Sequence, residues 1–393
     1  MALKVSSVYA KAPASSANLK AGWDILAVAV VGLSQELYNH VDLTFVPDKP
    51  GHVEVLPDTG RYGDRVPIDP ERNLAANVVR AMLNKYDPNW VTSYGVRVQT
   101  RTDIPFPAGL GSSGAINAAA AQAVAGFLQH EYDNNLPSRE QAYWAIMGEK
   151  LAAGTPHPDN GSASTMGGMS RSRFSSPYSL DDLFIEKIEV PDWVVVFGKP
   201  HDIEKTSTEE LRKMLRGKTI PVQEIPNYQA RHSQLVEAVR NKDIDAVAAA
   251  LDYDDSIEKA RAESRSNGKL FLPARTVFGY GEHITYDLIR QNDKEMREQH
   301  IATWMSGAGP FRAALCDPER YSGSVETARQ GLLAHFARAG YKDTELIEAQ
   351  LTNLGSIDIG AQIVLSPTNG PSNDPVPPES VPIGASETCG TQS

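Results

Sequence analysis

The sequence predicts an α+β fold in two layers per domain. Apolar runs of strand length and segments with helical spacing both occur along the chain, and no regular βαβ alternation joins them. The 393 residues can form two hydrophobic cores, with 41% apolar and 22% charged residues. We therefore predict an N-terminal domain over residues 1–185, a C-terminal domain over 186–366 and a disordered tail over 367–393, which has almost no apolar residues.

The first part of the chain predicts strands and one amphipathic helix. Residues 3–10 predict a strand, and the small polar residues 12–19 predict a loop. Residues 25–33 form a buried strand or a short helix, since periodicity cannot separate the two in so short an apolar run. The other predicted elements here are a strand at 40–46, a loop or hairpin at 47–70, a helix at 73–86 and a strand at 94–101.

The middle of the chain predicts two helices after a glycine-rich segment. Residues 113–132 (SGAINAAAAQAVAGFLQHEY) are strongly helix-forming. A capping box formed by Ser138 and Gln141 opens a second helix, which runs to about residue 153. Residues 155–160 are too rich in proline for a helix, and the serine-rich residues 170–182 predict a loop.

The last part of the chain is predicted to contain both strands and helices. The predicted strands lie at 193–197, 311–316, 346–352 and 361–365. The predicted helices lie at 207–241, 243–265, 283–297 and 324–339, and residues 304–310 form a second glycine turn.

Charge and composition exclude several classes of partner. A net charge of −11 argues against nucleic acid, which would need a basic face. The longest apolar run, residues 25–33, is too short to cross a bilayer, and the N-terminus lacks a signal-peptide core, so we expect no membrane partner. Cys316 and Cys389 show no metal spacing. One lies in an apolar strand-like run and the other in the polar tail, so we expect no disulfide between them and a reducing, cytoplasmic location.

Residues 105–115 (PFPAGLGSSGA) are the most informative segment. Glycines 109, 111 and 114 let backbone N–H groups approach an anion, and a helix follows at once, so the segment suits a phosphate group. A plain strand-to-helix turn is the alternative. The segment is no Walker loop, because no lysine lies nearby, and it matches a dinucleotide fingerprint only weakly, because Glu131 ends the same helix instead of a second strand.

Three motifs in order resemble those of the GHMP small-molecule kinases. Residues 105–115 resemble the central motif, residues 12–24 the first motif of the homoserine kinase branch, and residues 305–310 the third motif. Four further segments are homoserine kinase-like: Asn73 with Leu74, residues 157–160 with Gly167 and Gly168, Ser207 with Arg212, and residues 358–364. The resemblance spans residues 5–365. It implies a two-domain GHMP kinase-like fold, with an N-terminal ribosomal-protein-S5-domain-2-like half that binds ATP and a C-terminal ferredoxin-like α/β sandwich.

The resemblance also implies ATP and Mg²⁺ as cofactors. It places Mg²⁺ on Ser113 and Glu149, although Ser113 could also be a simple N-cap and a glutamate on a helix is usually solvated. Asn73 would contact adenine, or else only cap the next helix. The implied ATP-binding residues are Asn73, Pro107, Gly109, Leu110, Gly111, Ser112, Ser113 and Gly114.

For the acceptor, the resemblance implies a zwitterionic amino acid. Asn18 and Asp24 match residues on its ammonium side and Arg212 one on its carboxylate side, while Gly307 belongs to the third motif. Without the resemblance, Arg212 would be read as an exposed residue of a charged helix. The implied reaction centre is Asn160, with Asp159 as the less favoured alternative and His157 as a structural turn residue.

The implied function is ATP-dependent phosphorylation of the side-chain hydroxyl of L-homoserine in threonine biosynthesis, by direct transfer to a small-molecule substrate. The alternatives are a GHMP kinase for another hydroxylated amino acid or hydroxy acid, and a non-catalytic ligand-binding regulator. A homodimer is one assembly left open. The sequence departs from the branch at Lys20, where glycine is usual, at Trp23 and at residues 161–163. It also departs around Arg265, because this arginine lies too far upstream to be matched with the second substrate arginine.

Overall fold

The computed structural model of the chain describes residues 3–153, 155–175, 178–201, 204–205, 225–252, 276–277, 284–307 and 309–366. The strands in these residues are β1 (Val5–Asn18), β2 (Gly22–Gly32), β3 (Tyr38–Val46), β4 (Val53–Val55), β5 (Gly95–Thr102), β6 (Met169–Phe174), β7 (Leu183–Ile188), β8 (Val194–Pro200), β9 (Glu204–Lys205), β10 (Thr276–Val277), β11 (Ala302–Met305), β12 (Arg312–Cys316), β13 (Thr344–Leu351) and β14 (Ala361–Leu365).

The α-helices of the described residues are α1 (Leu74–Tyr86), α2 (Trp90–Ser93), α3 (Ser112–Tyr132), α4 (Ser138–Ala153), α5 (Pro158–Met166), α6 (Ile225–Arg240), α7 (Ile244–Leu251), α8 (Tyr286–Arg297), α9 (Ser324–Arg338) and α10 (Ser356–Ile359), and a short 3₁₀ turn covers Gly63–Arg65. The predicted helix at 207–241 is confirmed over α6 and the one at 243–265 over α7. The remainders of these two predictions lie outside the described residues, as does the predicted tail.

Twelve strands form one hydrogen-bonded sheet within the described part of the chain. Its main path runs β11-β12-β8-β13-β2-β1-β3-β5-β4, while β14 pairs with β1, and β6 pairs with β2 and β7. The long strands β1 and β2 pair antiparallel, with Ser15 opposite Ala29. Strand β13 pairs with β2 at residues 30–32, so strands from both ends of the chain share this sheet.

Helix α3 is the central helix and is buried on nearly all sides. Its alanines, together with Ile116, Phe127 and Leu128, join the main hydrophobic core with Val8, Ala10 and Val41 of the sheet. A helix that is apolar all round belongs in an interior, and its small side chains let β1, α1 and α4 pack closely against it. The N-terminus of α3 is therefore held in place by the core.

The proposed boundary at residues 185 and 186 falls inside strand β7. A division after Ile188 would keep this strand whole. The two-domain division itself stays a prediction.

Three local expectations are wrong for identifiable reasons. The predicted loop at 12–19 is the continuation of β1 to Asn18, because its small side chains fit a buried strand. Helix α5 begins at Pro158, although we predicted no helix there; proline suits the first turn, whose N–H has no helical partner. Part of the serine-rich segment is strand β6. The open choice at 25–33 is resolved as strand β2.

Cys316 lies buried in β12, and burial raises the pKa of its thiol to about 12. It is therefore an unreactive core residue. Among the described helices, none combines the length and apolar character that crossing a membrane would require.

His335 lies in α9 with a fully buried side chain. Burial and the positive charge of Arg312 lower the pKa of His335 to about 3. The imidazole is therefore neutral in the folded protein over the physiological range, whereas the unfolded chain takes up a proton near its ordinary pKa of about 6.5. The free energy of unfolding should fall as the pH falls from about 6.5 towards 3.

We expect His335→Leu to remove this part of the pH dependence. The slope of unfolding free energy against pH between 6 and 4 should decrease by up to about 1.4 kcal/mol per pH unit, the full effect of one proton. Urea unfolding at several pH values measures this slope. His52→Gln, at an exposed position just before β4, is the control and should leave the slope unchanged. An equal slope in wild type and His335→Leu would contradict the prediction.

Candidate active site

The glycine loop, which we define as residues 105–111, leads directly into helix α3. Gly109 and Gly111 have positive φ values of 88° and 67°, a conformation that favours glycine because it has no Cβ. Gly111 is the N-cap of α3, so the first N–H groups of the helix lie at the end of the loop. This arrangement can bind an anion such as a phosphate group.

The loop makes close contacts with β1 and α5. Ser15 N donates to Leu110 O at 3.1 Å, and Ser15 Oγ donates to Asn160 Oδ1 at 2.9 Å. A Cβ at Gly111 would lie 2.2 Å from Ser15 Oγ and 2.8 Å from Asn160 Oδ1. A Cβ at Gly114 would lie 2.9 Å from Asn160 Cβ. The two glycines therefore allow three chain segments to meet at Asn160.

The second glycine turn lies against the other side of the loop. Ser306 Oγ donates to Gly109 O at 2.7 Å and lies 2.8 Å from Ser16 Oγ. Gly307 N donates to Ala17 O at 3.1 Å. The two glycine turns predicted from the sequence are thus held side by side along β1.

Asn18 is the last residue of β1 and Asp24 lies near the start of β2; we call the hairpin segment that they bound the 18–24 turn. Asn18 Nδ2 donates to Gly307 O at 3.0 Å, and Asn18 Oδ1 accepts from Asp24 N at 3.1 Å. The Asp24 side chain is 55% exposed, and its Oδ1 lies 3.5 Å from His157 Nδ1. The turn therefore presents an accessible carboxylate beside the start of α5.

The charges of Asp24 and Glu149 both act on Asp159, the residue before Asn160. Asp159 is buried, and its Oδ1 accepts from Asn160 N at 2.7 Å. Burial and the charge of Asp24 raise the pKa of Asp159 to about 7, against the opposing effect of His157. Burial lowers the pKa of His157, but the hydrogen bond to Asp24 and the surrounding carboxylates raise it overall. Glu149 contributes to both shifts, so its charge lies close to this group.

Glu149 of α4 is also buried beside the first turns of α3. Among the described residues its Oε1 has no hydrogen-bond partner. The preceding Gly148 packs against Asn117, since a Cβ there would lie 2.5 Å from Asn117 Cγ. Asn117 follows Ser113 by one helical turn on the same face of α3. A buried carboxylate oxygen without a partner is costly, and a divalent cation would compensate this cost, so the residues fit a metal ion.

Ser112 and Asn73 have structural partners. Asn39 Nδ2 donates to both Ser112 O and Ser112 Oγ at 2.9 Å. Asn73 Oδ1 accepts from Ala76 N at 3.0 Å, and Asn73 Nδ2 donates to Pro67 O at 2.9 Å. Asn73 is therefore the N-cap of α1, which was the alternative to its predicted contact with adenine. That contact stays a prediction.

Arg212 and Arg265 lie outside the described residues, and the side chain of Trp23 is not described either. The carboxylate side of the predicted acceptor site therefore also stays a prediction.

Lys20 has a role that the sequence did not indicate. Its ammonium group is buried and lies 2.5 Å from Asp293 Oδ2 of α8. Asp293 Oδ1 accepts from Thr303 Oγ1 at 2.6 Å and from Arg312. Burial alone would raise the pKa of Asp293, but Lys20 and Arg312 hold it well below its ordinary range. Lys20 thus anchors the 18–24 turn to α8, a partner 273 residues away.

Comparison with known proteins identifies the family. The family profile described as GHMP kinases N terminal domain matches residues 73–168, from the cap of α1 to just past the end of α5. The homoserine kinase of Aeropyrum pernix is 30% identical over 325 residues, which are 83% of this chain and 91% of that protein. The homoserine kinase of Thermoplasma acidophilum is 27% identical over 347 residues, 88% of this chain and 94% of that protein. The chain belongs to the GHMP kinase family.

The solved structures agree with this assignment. The crystal structure of homoserine kinase from Cytophaga hutchinsonii superposes with a TM-score of 0.67 at 21% identity, over 91% of this chain and 97% of that one. At this identity the likeness shows the fold, and it confirms the predicted α+β fold of the GHMP kinases. Family membership makes the chain a small-molecule kinase, and the glycine loop, α3 and α5 all lie in the segment that the profile matches.

We predict that Gly111→Ala impairs nucleotide binding as well as stability. Alanine in the left-handed conformation costs about 1–2 kcal/mol of stability, and its Cβ would also overlap Ser15 and Asn160. The loop would then have to move away from α5. We expect at least a tenfold rise in the Kd for an ATP analogue, measured by titration, together with a stability loss measured by urea unfolding.

Gly323→Ala is the matched control. Gly323 is also a left-handed N-cap glycine, at the start of α9, but a Cβ there would meet nothing within 4 Å. It should show the same stability loss of about 1–2 kcal/mol from the backbone alone, with unchanged nucleotide affinity. Equal nucleotide affinities in the two variants would refute a specific role for the contact at Gly111.

Proposed function

We propose that this GHMP kinase phosphorylates the side-chain hydroxyl of L-homoserine with ATP and forms O-phospho-L-homoserine, a step of threonine biosynthesis. The observation that carries the proposal is that the glycine loop contacts both β1 and the second glycine turn. The second glycine turn also holds the 18–24 turn, through the hydrogen bond from Asn18 to Gly307 O. An anion-binding helix end and an accessible carboxylate are thereby held in one unit. The names of the relatives support homoserine as the acceptor.

In this proposal the glycine loop and the first turn of α3 hold the phosphates of ATP. Their backbone N–H groups and the helix dipole supply positive potential without a Walker lysine. The proposed nucleotide-binding residues are Asn73, Pro107, Gly109, Leu110, Gly111, Ser112, Ser113 and Gly114.

Glu149 and Ser113 would hold Mg²⁺. The hydroxyl of Ser112 contacts Asn39, which favours Ser113 as the serine of the pair for the cation. The buried Glu149 Oε1 supplies an oxygen ligand of the kind that Mg²⁺ prefers. When bound, the ion neutralises the charge that develops on the phosphates.

Asp24 would bind the ammonium group of the acceptor. A carboxylate is the natural partner of an ammonium group, and an arginine that of a carboxylate, the role proposed for Arg212. Asn18 holds the backbone of Asp24 and so positions the carboxylate, and Gly307 completes the wall through its bond with Asn18.

Transfer would proceed directly between the two substrates. The acceptor oxygen forms a bond to the γ-phosphorus, the bond from this phosphorus to ADP breaks, and the hydroxyl proton is released. The Asn160 amide can donate a hydrogen bond to the transferred group. Asp159 is the less favoured centre, because its Oδ1 is already bonded to Asn160 N and because it is buried. We propose that it positions the start of α5.

A panel of acceptors tests the function. Purified protein with ATP and Mg²⁺ should release ADP with L-homoserine at a kcat/KM at least about tenfold above that with L-serine, L-threonine or mevalonate, because each differs from it in chain length, branching or charge. Preference for another member of the panel would reassign the acceptor within the kinase family. No ADP release with any of them would favour the non-catalytic regulator.

We expect Glu149→Gln to lower kcat by about 10²–10³-fold, the several kcal/mol that a catalytic cation supplies. Stability should stay equal or increase, because the substitution removes a buried negative charge. Glu140→Gln is the control on the same helix, where glutamine can still accept from Tyr86, and it should retain activity. Full activity of Glu149→Gln would exclude the metal role. A lower stability of this variant than of wild type would contradict the expected effect of removing the buried charge.

A further inference from the structure

A second group of ligand-type side chains lies on the opposite face of the sheet from α3. Glu36 precedes β3, His40 lies on β3 and Asp103 follows β5, and their ligand atoms all lie within 4.8 Å of one another. His40 alternates along β3 with Val41 and Asn39, so its side chain is on the face away from Val41 and the core. None of these three residues belongs to the candidate active site.

The separations of the ligand atoms suit a single metal ion. His40 Nε2 lies 3.2 Å from Glu36 Oε1 and 3.8 Å from Asp103 Oδ2. Adjacent ligands of a tetrahedral or octahedral ion, with bonds of about 2.0–2.2 Å, are about 2.8–3.6 Å apart. The first separation is in this range, and the second needs only a small side-chain rotation.

The state of His40 independently points to a ligand. Its side chain is only 4% exposed, and among the described residues its Nε2 has no hydrogen-bond partner. This nitrogen is directed between two carboxylates without aligned hydrogen bonds to either. Its Nδ1 lies 2.5 Å from Tyr9 Oη. A histidine fixed through one ring nitrogen, with the other facing carboxylates, is the usual arrangement of a metal-ligating imidazole.

Arg101 is a cation that contacts both carboxylates of the cluster. Its Nε lies 2.5 Å from Asp103 Oδ2, and its Nη2 lies 3.0 Å from Glu36 Oε2. The Arg101 side chain is 49% exposed, so it can turn into solvent at little cost. A metal ion and this guanidinium group would compete for Asp103 Oδ2.

We propose that Glu36, His40 and Asp103 bind one divalent first-row transition-metal ion, with Zn²⁺ as the best match, and that Arg101 competes with it. One imidazole and two carboxylates are a ligand set that Zn²⁺ accepts, and Zn²⁺ binds such sets more tightly than Mn²⁺. Asn39 Oδ1 accepts from both Asp103 N and Ile104 N at 3.2 Å, and its Nδ2 donates to Ser112. The ion would therefore stiffen the segment that leads into the glycine loop.

Zinc titration of the chelator-treated full chain tests the proposal, by calorimetry and by the unfolding temperature. Wild type should bind one Zn²⁺ at this cluster. The His40→Gln variant should bind Zn²⁺ there at least tenfold more weakly, as expected for loss of a ligand. Arg101→Gln should bind Zn²⁺ at least threefold more tightly, because the competing cation is gone. A merely structural ion-pair cluster would give no such increase.

Two further variants separate folding effects from binding. Glu36 is exposed, so Glu36→Gln should fold normally and still weaken Zn²⁺ binding. Glu149→Gln, in the candidate active site, should leave the stoichiometry at the new site unchanged. Zn²⁺ binding that is equal in wild type, His40→Gln and Glu36→Gln would overturn the proposal, as would weaker binding by Arg101→Gln. The outcome does not depend on whether homoserine is the acceptor.

Discussion

The close approach of backbone and small side chains around Asn160 is the constraint on which the site depends. Ser15 of β1, Gly111 of the glycine loop and Asn160 of α5 are so close that a single added Cβ at Gly111 would overlap both neighbours. The helix end, the loop and the turn that carries Asp24 are then held by hydrogen bonds to the same strand. Because β1 lies in the centre of the sheet, this arrangement has little freedom to change without disturbing the core.

Elements with strong periodicity could be predicted from the sequence, and elements built from small residues could not. Helices α1 and α3 and strands β3 and β5 follow from apolar spacing or helix propensity. The second half of β1 consists of Ala, Ser and Pro followed by Asn18, which resemble a loop by composition but fill a narrow space against α5 and the glycine loop. Helix α5 does not follow from composition, because proline breaks a helix in its interior but favours one at the first position, where Pro158 lies.

In the candidate active site, too, residues with a sequence pattern could be predicted and residues without one could not. Glycines 109, 111 and 114 could be found because their spacing before a helix has a direct physical meaning. The contacts of Ser15, Ser16 and Ser306 could not, because each joins segments that are far apart in sequence, and a serine has no distinctive pattern of its own. His157 was read as a turn residue, and the structure adds its contact with Asp24.

The buried pair of Lys20 and Asp293 makes the proposed acceptor site depend on two distant segments of the chain. The turn that carries Asp24 comes from the first 24 residues, whereas the carboxylate that anchors it lies on α8, close to the third motif. A chimera that received only the turn of a relative with glycine at position 20 would lose one of the cations around a buried aspartate. On the proposed role of Asp24, exchange of acceptor preference between family members would require segments from both ends of the chain to be transplanted together.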